Sequence, residues 1–144
     1  MPKQLPNIYK IARESSGFTQ EKASELLATS VTSLKAYEYS QRIPPDDIVI
    51  KMIEIYDAQY LAYQHLKTSV EVGKKYLPNI EITQLPIAIL KLQKEVSDFI
   101  KCKDLMVEIT CDGVIDDNER PQWNMIMKEL DDIVTAIMSL KFAK

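Results

Sequence analysis

The apolar residues of this chain recur with the period of an α-helix along most of its length. Near the start, Ile8, Ile11 and Ala12 stand at i, i+3 and i+4, which predicts a helix over residues 8–15 with this stripe turned inward. No stretch shows the sustained two-residue alternation that marks a β-hairpin or a sandwich. We therefore expect an all-α protein.

Three more short helices are predicted before residue 60. The second covers 20–27, the third 31–39 and the fourth runs from Asp46 or Asp47 to about 57, after the break at Pro44 and Pro45. Their predicted inward residues are, in order, Ala23, Leu26 and Leu27, then Leu34 and Tyr37, then Val49, Met52, Ile53 and Tyr56.

Polar residues and glycine mark the ends of these helices. Gly17 is the expected left-handed stop of the first helix, and Phe18 then enters the core. Thr19 and Ser30 stand where a side-chain oxygen can cap the second and third helices. The order helix, short turn, helix within residues 20–39 is thus predicted from both periodicity and caps.

A longer helical segment and a helical hairpin complete the chain. One helix is predicted over 59–76, and two long ones over 86–111 and 117–141, folded back on each other at Asp112-Gly113. Pro78 and Pro86 bracket an irregular stretch. The predicted domains are 1–76, a linker over 77–85, and a hairpin over 86–144.

The two long helices carry stripes that are expected to cover each other. The stripes are Ile89, Leu92, Val96, Phe99, Lys103 and Met106, and Trp123, Ile126, Met127, Leu130, Ile133, Val134 and Ile137. Apolar surface remains at Met125, Ile126, Ile137 and Met138, for which we favour a second copy over the rest of the chain. A homodimer, or a higher homo-oligomer, through these helices is expected.

The composition is that of an ordered globular protein, whereas the charge balance is unfavourable for binding nucleic acid. The chain has 144 residues, is 46% hydrophobic, and has 18 basic against 21 acidic residues, a net charge of -3. Residues 1–60 hold seven basic and eight acidic residues, a poor balance for neutralising phosphates. No apolar run approaches the ~18 residues of a membrane span or follows the first residues as in a leader, so a soluble, cytoplasmic protein is expected.

Little in the sequence suggests catalysis. No phosphate loop, nucleophile elbow or recognisable acid pair is present, so no enzyme activity and no cofactor are expected. Cys102 and Cys111 fall on opposite sides of a predicted helix and are interpreted as free packing thiols. His65 is interpreted as a surface or partner-facing residue, and Tyr56, Tyr60 and Tyr63 as packing between the fourth and fifth helices.

One segment partly matches a calcium-binding loop. The matching positions are Glu108, Thr110, Asp112, Gly113, Ile115, Asp116 and Glu119. Glutamate and threonine at the first two ligand positions, and the long flanking helices, favour the other interpretation, in which Gly113 turns the chain and Asp116 or Asp117 caps the last helix. No metal site is predicted.

The first sixty residues resemble one family closely. The pattern Arg13-x3-Gly17-Phe18-Thr19-Gln20-Glu21-x-Ala23-x2-Leu26-Leu27, then Ser30, Leu34, Tyr37-Glu38 and Pro44, is similar to the Cro/CI-type, or XRE-family, helix-turn-helix domain over residues 7–57. The resemblance implies a five-helix, lambda-repressor-like DNA-binding head that reads double-stranded DNA, as in phage and prophage repressors.

The resemblance also implies which residues contact DNA. Gln20 would meet a phosphate, Ser30 would cap the recognition helix near a phosphate, and the base edges would be faced by Val31, Thr32, Lys35 and Ala36. Arg42, Lys10 and Lys22 are further phosphate candidates. The chain departs from the family by having Ala28 and Ser40 at two turns that usually hold glycine.

Two other interpretations accompany this one. The acidic balance also suits a helix-turn-helix module that binds protein, such as an antirepressor or an assembly factor. The segment Asp112-Gly113-Val114-Ile115-Asp116-x2-Glu119, followed by a long helix, is similar to phage regulatory proteins of the CII-like group, in which a helical region makes the oligomer.

Overall fold

The computed structural model describes residues 7–144, which form eight helices and no strand. The helices are α1 (Ile8–Ser15), α2 (Gln20–Leu26), α3 (Val31–Glu38), α4 (Asp46–Tyr56), α5 (Gln59–Ser69), α6 (Glu71–Tyr76), α7 (Leu85–Ile109) and α8 (Arg120–Lys141). The predicted all-α class is confirmed. The start of the predicted first domain, with Lys3, lies outside the described residues.

The chain forms two compact units that divide between Leu77 and Pro78. The first unit holds α1 to α6 and the second holds α7 and α8. Each has its own group of buried apolar side chains.

Local hydrogen bonds define the beginnings of the first three helices. The Asn7 side chain accepts from the Lys10 amide at 3.1 Å, and the Thr19 hydroxyl accepts from the Lys22 amide at 3.1 Å. Ser30 does the same for α3, and Gly17 takes a φ of 77° after α1. The predicted caps and the left-handed stop are confirmed, because all of them depend only on neighbouring residues.

The core of the first unit draws on five helices. Its buried apolar members are Tyr9, Ala23, Leu27, Leu34, Tyr37, Ile48, Val49, Met52, Tyr56 and Leu61. Most of the inward positions predicted for the second, third and fourth helices are among them, and Phe18 packs against the group as expected.

The predicted inward faces of α1 and α2 need correction. Ile11 is 48% exposed and Leu26 is 40% exposed. In α1 the buried pair is Tyr9 and Arg13, one turn apart, and both have hydrogen-bond partners inside the unit. Ile8 and Ala12 of the predicted α1 stripe pack against the core from partly buried positions, so only Ile11 is out of place, and polar groups with partners take the fully buried positions.

The single helix predicted over 59–76 is wrong, since the chain breaks at Val70 into α5 and α6. Gly73 explains the break: a Cβ atom there would lie 1.8 Å from the Leu66 carbonyl oxygen, so only glycine lets α6 pack this closely on α5. Lys67 closes the junction by donating its Nζ to the Leu77 carbonyl oxygen at 2.6 Å. Over residues 7–77 the first unit therefore has six helices instead of five.

His65 is buried, which corrects the prediction of a surface histidine. Its Nδ1 lies 2.7 Å from the Tyr9 hydroxyl, which is also 2.9 Å from the Ser69 hydroxyl. Its Nε2 lies 3.5 Å from an Asp46 carboxylate oxygen. The histidine joins α1, α4 and α5, so its role in this structure is to hold helices together. Tyr63 is buried and stacks on Tyr60, 6.5 Å between ring centroids.

The second unit is a hairpin of α7 and α8, as predicted. Its buried centre is Cys102, Ile109 and Ile126, and at the open end the Leu85 amide donates to the Lys144 carbonyl at 3.1 Å. The turn is longer than expected, because α7 ends at Ile109 and α8 begins at Arg120. Cys111 thus lies in the turn and is exposed, which corrects its interpretation as a packing residue.

In the turn between α7 and α8, two carboxylates accept hydrogen bonds from nearby backbone amides. The Asp116 side chain accepts from the Glu119 amide at 2.9 Å, and the Glu119 side chain accepts from the Asp116 amide at 3.1 Å. This reciprocal pair has the pattern of a capping box one turn before α8. Gly113, with a φ of 80°, turns the chain.

The stripe predicted to face α8 is rotated from the true contact. Ile89 and Val96 are exposed, while Ala88, Cys102 and Ile109 are buried. Ile126, predicted both in the stripe facing α7 and as leftover surface, is fully buried, which confirms the stripe; Met125 and Ile137 are exposed. Phe99 and Met106 of the predicted stripe do pack against the buried centre, so the contact is rotated along α7 and not replaced.

Across residues 7–144, no helix combines the length and apolar character that a membrane crossing requires.

Candidate nucleic-acid interface

The turn between α2 and α3 sets the angle of the second helix. Leu27 ends α2 and is fully buried, and Ala28 takes a left-handed φ of 52°. The Thr29 amide donates to the Ser24 carbonyl at 3.0 Å, which closes the turn. Ser30 then caps α3 by accepting from the Ser33 amide at 3.0 Å. Ala28, which stands where the resembled family usually has glycine, thus takes the left-handed conformation that glycine adopts most readily.

α3 has one buried side and one open side. Leu34, Tyr37 and Glu38 are buried, while Thr32 and Lys35 are exposed. Val31 and Ala36 are half-buried beside them. Because residues at i, i+3 and i+4 share a face, Thr32, Lys35 and Ala36 form a single outward surface. We call residues 31, 32, 35 and 36 the outer face of α3.

A buried ion pair fixes α3 to the rest of the unit. Arg13 donates from Nε to Glu38 Oε1 at 2.6 Å and from Nη2 to Oε2 at 3.0 Å. Its Nη1 donates to the Phe18 carbonyl at 2.6 Å. These hydrogen bonds to Glu38 raise the pKa of Arg13 above its usual value. A bidentate pair between α1 and α3 leaves α3 little freedom to rotate.

Gln20 joins this pair from α2. Its side-chain amide donates to Glu38 Oε2 at 2.8 Å, so its NH2 group is engaged inside the protein. The predicted phosphate contact of Gln20 stays a prediction, and the side-chain oxygen and the helix start remain the groups that can make it. Glu38 thereby gathers the three helices of the helix-turn-helix region at one carboxylate.

The end of α3 is also anchored. Asn7 donates its side-chain NH2 to the Tyr37 carbonyl and, at 3.3 Å, to the Ser40 hydroxyl. Ser40 has a left-handed φ of 58°, at the second turn where the resembled family usually has glycine. Arg42 lies over the Tyr37 ring, 4.9 Å from its centroid, and donates to the Tyr37 hydroxyl at 2.8 Å. The exposed Arg42 is thus held near the C-terminal end of α3.

The two additional phosphate candidates have acidic neighbours. Lys22 Nζ is 3.1 Å from a Glu25 carboxylate oxygen, and Lys10 Nζ is 4.0 Å from Glu14 and 5.5 Å from the centre of the Tyr39 ring. The Lys22 pair is exposed and the Lys10 pair is partly exposed, and ion pairs at the surface contribute little energy and can rearrange.

The structure brings Ser30 and the outer face of α3 together on one helix, with Gln20 and Arg42 anchored to residues of its buried side. The burial of Glu38 and its pairing with Arg13 were missed by sequence reasoning. The pattern shared with the resembled family contained both Arg13 and Glu38. Two charged residues 25 positions apart, however, produce no periodicity that would indicate their contact.

Two short helices, joined by a tight turn and with the second helix presented outward, define a helix-turn-helix protein. Residues 10–60 match the family model described as helix-turn-helix. This region is therefore a helix-turn-helix domain of the Cro/CI, or XRE, type, a DNA-binding domain of transcriptional regulators. The comparisons with curated proteins and with solved structures each gave no match. The similarity of the hairpin to CII-like proteins stays a prediction.

Proposed function

We propose that the protein is a sequence-specific transcriptional regulator of the phage or prophage repressor kind, acting in the cytoplasm. In this proposal α3 enters the major groove, with Thr32 and Lys35 toward base edges and Val31 toward a thymine methyl. The supporting observation is the rigid anchoring of α3 by Glu38 while its outer face stays open to solvent.

Two heads are needed for tight binding. The outer face of α3 has Lys35 but no arginine, asparagine or glutamine, so each head can make few bidentate base contacts. A homodimer would add a second half-site, about 34 Å away along the duplex or a multiple of that distance. The negative net charge increases the need for this doubling, because phosphate attraction alone is weak.

A selection from random duplexes at low salt tests the proposal. The full chain should enrich a sequence with two-fold symmetry, since two identical heads read two half-sites. The enriched duplex should then bind less tightly as salt increases, because lysine and arginine contacts release counterions. Failure to enrich any sequence would contradict the proposal.

A protein-binding module is the second candidate, and the charge of the chain favours it. With seven basic against eight acidic residues over 1–60, a partner's basic surface suits the head better than a phosphate backbone does. Such a module would act as an antirepressor or assembly factor. It predicts that the same selection yields no motif.

A further inference from the structure

The two sides of the α7–α8 hairpin differ in character. One side has the ion pairs: Lys94 and Lys101 contact Asp98 at 2.9 Å and 3.2 Å, and Lys128 contacts Asp132 at 2.8 Å. Viewed down each helix from its N-terminus, these residues are all rotated in the same sense away from the line along which α7 and α8 touch. This side combines ion pairs with the exposed apolar residues Ile87, Leu90 and Met125, so it is mixed in character.

The opposite side is apolar and open. Its residues are rotated in the opposite sense from the same line of contact. They are uncovered aliphatic side chains with exposed fractions of 38% to 69%. They are Ile89, Val96, Ile100 and Val107 on α7 and Val134 and Ile137 on α8. Because α7 and α8 run antiparallel, side chains rotated in the same sense from their line of contact lie on the same side of the hairpin. The six residues therefore form one surface. We call it the hairpin face.

The α7 part of the hairpin face is a symmetric sequence of positions. Along α7 the face also includes two polar positions, Gln93 and Lys103. The positions in order are Ile89, Gln93, Val96, Ile100, Lys103 and Val107, with intervals of four, three, four, three and four residues. The arrangement mirrors itself about residue 98. If two α7 helices pair antiparallel about that point, Val96 lies opposite Ile100 and Ile89 opposite Val107. The exposed Gln93 then lies opposite Lys103, so an amide oxygen meets an ammonium group.

The hairpin face is large enough for a stable pair. From residue 89 to 107 the helix rises about 27 Å, and two helices about 9 Å apart present a surface about 20 Å wide. Such a face covers about 540 Å² per copy, or about 1,100 Å² for the pair, which passes the roughly 1,000 Å² that a specific interface needs.

We infer that the hairpin face binds the same face of a second copy, with the two α7 helices antiparallel and crossing near residue 98, to form a four-helix bundle. The inference rests on the proposed function in that it supplies the dimer which two half-sites require. It adds the surface, the register and the direction of the pair. The self-complementary order of apolar and polar positions is what favours a second copy over an unrelated partner.

Charge changes at residue 93 test the register in the full chain without DNA, by sedimentation equilibrium. Gln93→Glu should tighten the dimer about three- to tenfold, because two Glu–Lys pairs form across the symmetric interface. Gln93→Lys should weaken it, because lysine would then face Lys103. If the two α7 helices were parallel instead, residue 93 would lie opposite residue 93 of the second copy. Gln93→Glu would then weaken the dimer.

A second pair of variants tests the face itself. Val96→Glu should weaken the dimer at least a hundredfold, because two carboxylates would be buried near the two-fold axis. Met125→Glu is the matched control, since Met125 is an exposed apolar residue on the ion-pair side, and should leave the dimer unchanged. Helix content and thermal unfolding should be the same for all the variants that stay folded.

Three results would overturn the inference: a monomeric wild-type chain at 100 µM or so, a Met125→Glu effect equal to that of Val96→Glu, or a Gln93→Glu dimer no tighter than wild type. If Val96→Glu fails to fold, the two residue-93 variants, which exchange one exposed polar side chain for another, still decide. A dimer of the expected register that enriches no DNA sequence would contradict the proposed function and leave the hairpin face standing.

Discussion

At the scale of single residues, Glu38 is the most consequential side chain of the first unit. It is almost completely buried, accepts two hydrogen bonds from Arg13 and one from Gln20, and stands in the helix that presents the outer face. Burying a charge is unfavourable unless its partner and its hydrogen bonds are all in place. The orientation of α3 therefore depends on Glu38, Arg13 and Gln20, and of these only Gln20 is expected to contact DNA.

We expect Glu38→Gln to lower the free energy of unfolding by about 3 to 5 kcal/mol, because Arg13 would keep its buried charge but lose its only buried counterion among the described residues. Glu14→Gln is the matched control: Glu14 also lies near Arg13, at 3.7 Å, but is half exposed, and its loss should change stability by less than about 1 kcal/mol. Urea unfolding of the three chains measures both. Equal losses would show that the Glu38 pair has no special role.

At the scale of elements, the turns decide how the short helices meet. Ala28 and Ser40 are the non-glycine residues with left-handed φ at the two ends of the α3 region. A Cβ atom in this conformation destabilises the turn by about 1 kcal/mol compared with glycine. The chain tolerates the strain because Leu27 on one side and Tyr37 on the other are buried.

Ala28→Gly should raise the thermal midpoint of the first unit, with a gain in stability of about 1 kcal/mol or somewhat less, because strain is relieved while the unfolded chain gains freedom. Ala62→Gly, in the middle of α5, is the control with the opposite sign and should lower stability by about 1 kcal/mol. A loss of stability in Ala28→Gly would mean that the left-handed turn is not formed in solution.

The junction of α5 and α6 gives a second prediction at this scale. Gly73→Ala would place a Cβ against the Leu66 carbonyl, so α6 should detach and its amides should exchange with solvent faster. The neighbouring exposed residue Val72 provides the control, since Val72→Ala removes no contact of this kind. Hydrogen exchange of residues 71–76 is the readout, and unchanged protection in Gly73→Ala would contradict the packing described.

These elements also show how far sequence reasoning reaches. The ends of α1 to α4 agreed with prediction to within about two residues, because Gly17, Thr19 and Ser30 act on the backbone beside them. The break at Val70, the burial of His65 and the Glu38 pair were missed, since each depends on a residue that is distant in sequence or on close contact between helices. In the candidate site, the outer face of α3 was predicted from the family resemblance, whereas its anchoring was visible only in three dimensions.

At the scale of the whole molecule, the two units have different proposed tasks. The first unit holds the helix-turn-helix domain, and the second offers an apolar face whose symmetry suits self-association. With a net charge of -3, the proposed DNA affinity must come from the placement of a few positive groups and from two heads acting together. The central claim is therefore that the outer face of α3 contacts the bases of the duplex.

A titration of the duplex enriched by selection measures that claim most directly. Thr32→Ala combined with Lys35→Ala should weaken binding at least tenfold, since base contacts contribute about 1 to 3 kcal/mol each when they are well formed. Lys51→Ala, which removes an exposed positive charge from α4, should change binding by less than about threefold. If the double variant binds the duplex as tightly as the wild-type chain does, α3 does not read the DNA and the account is wrong.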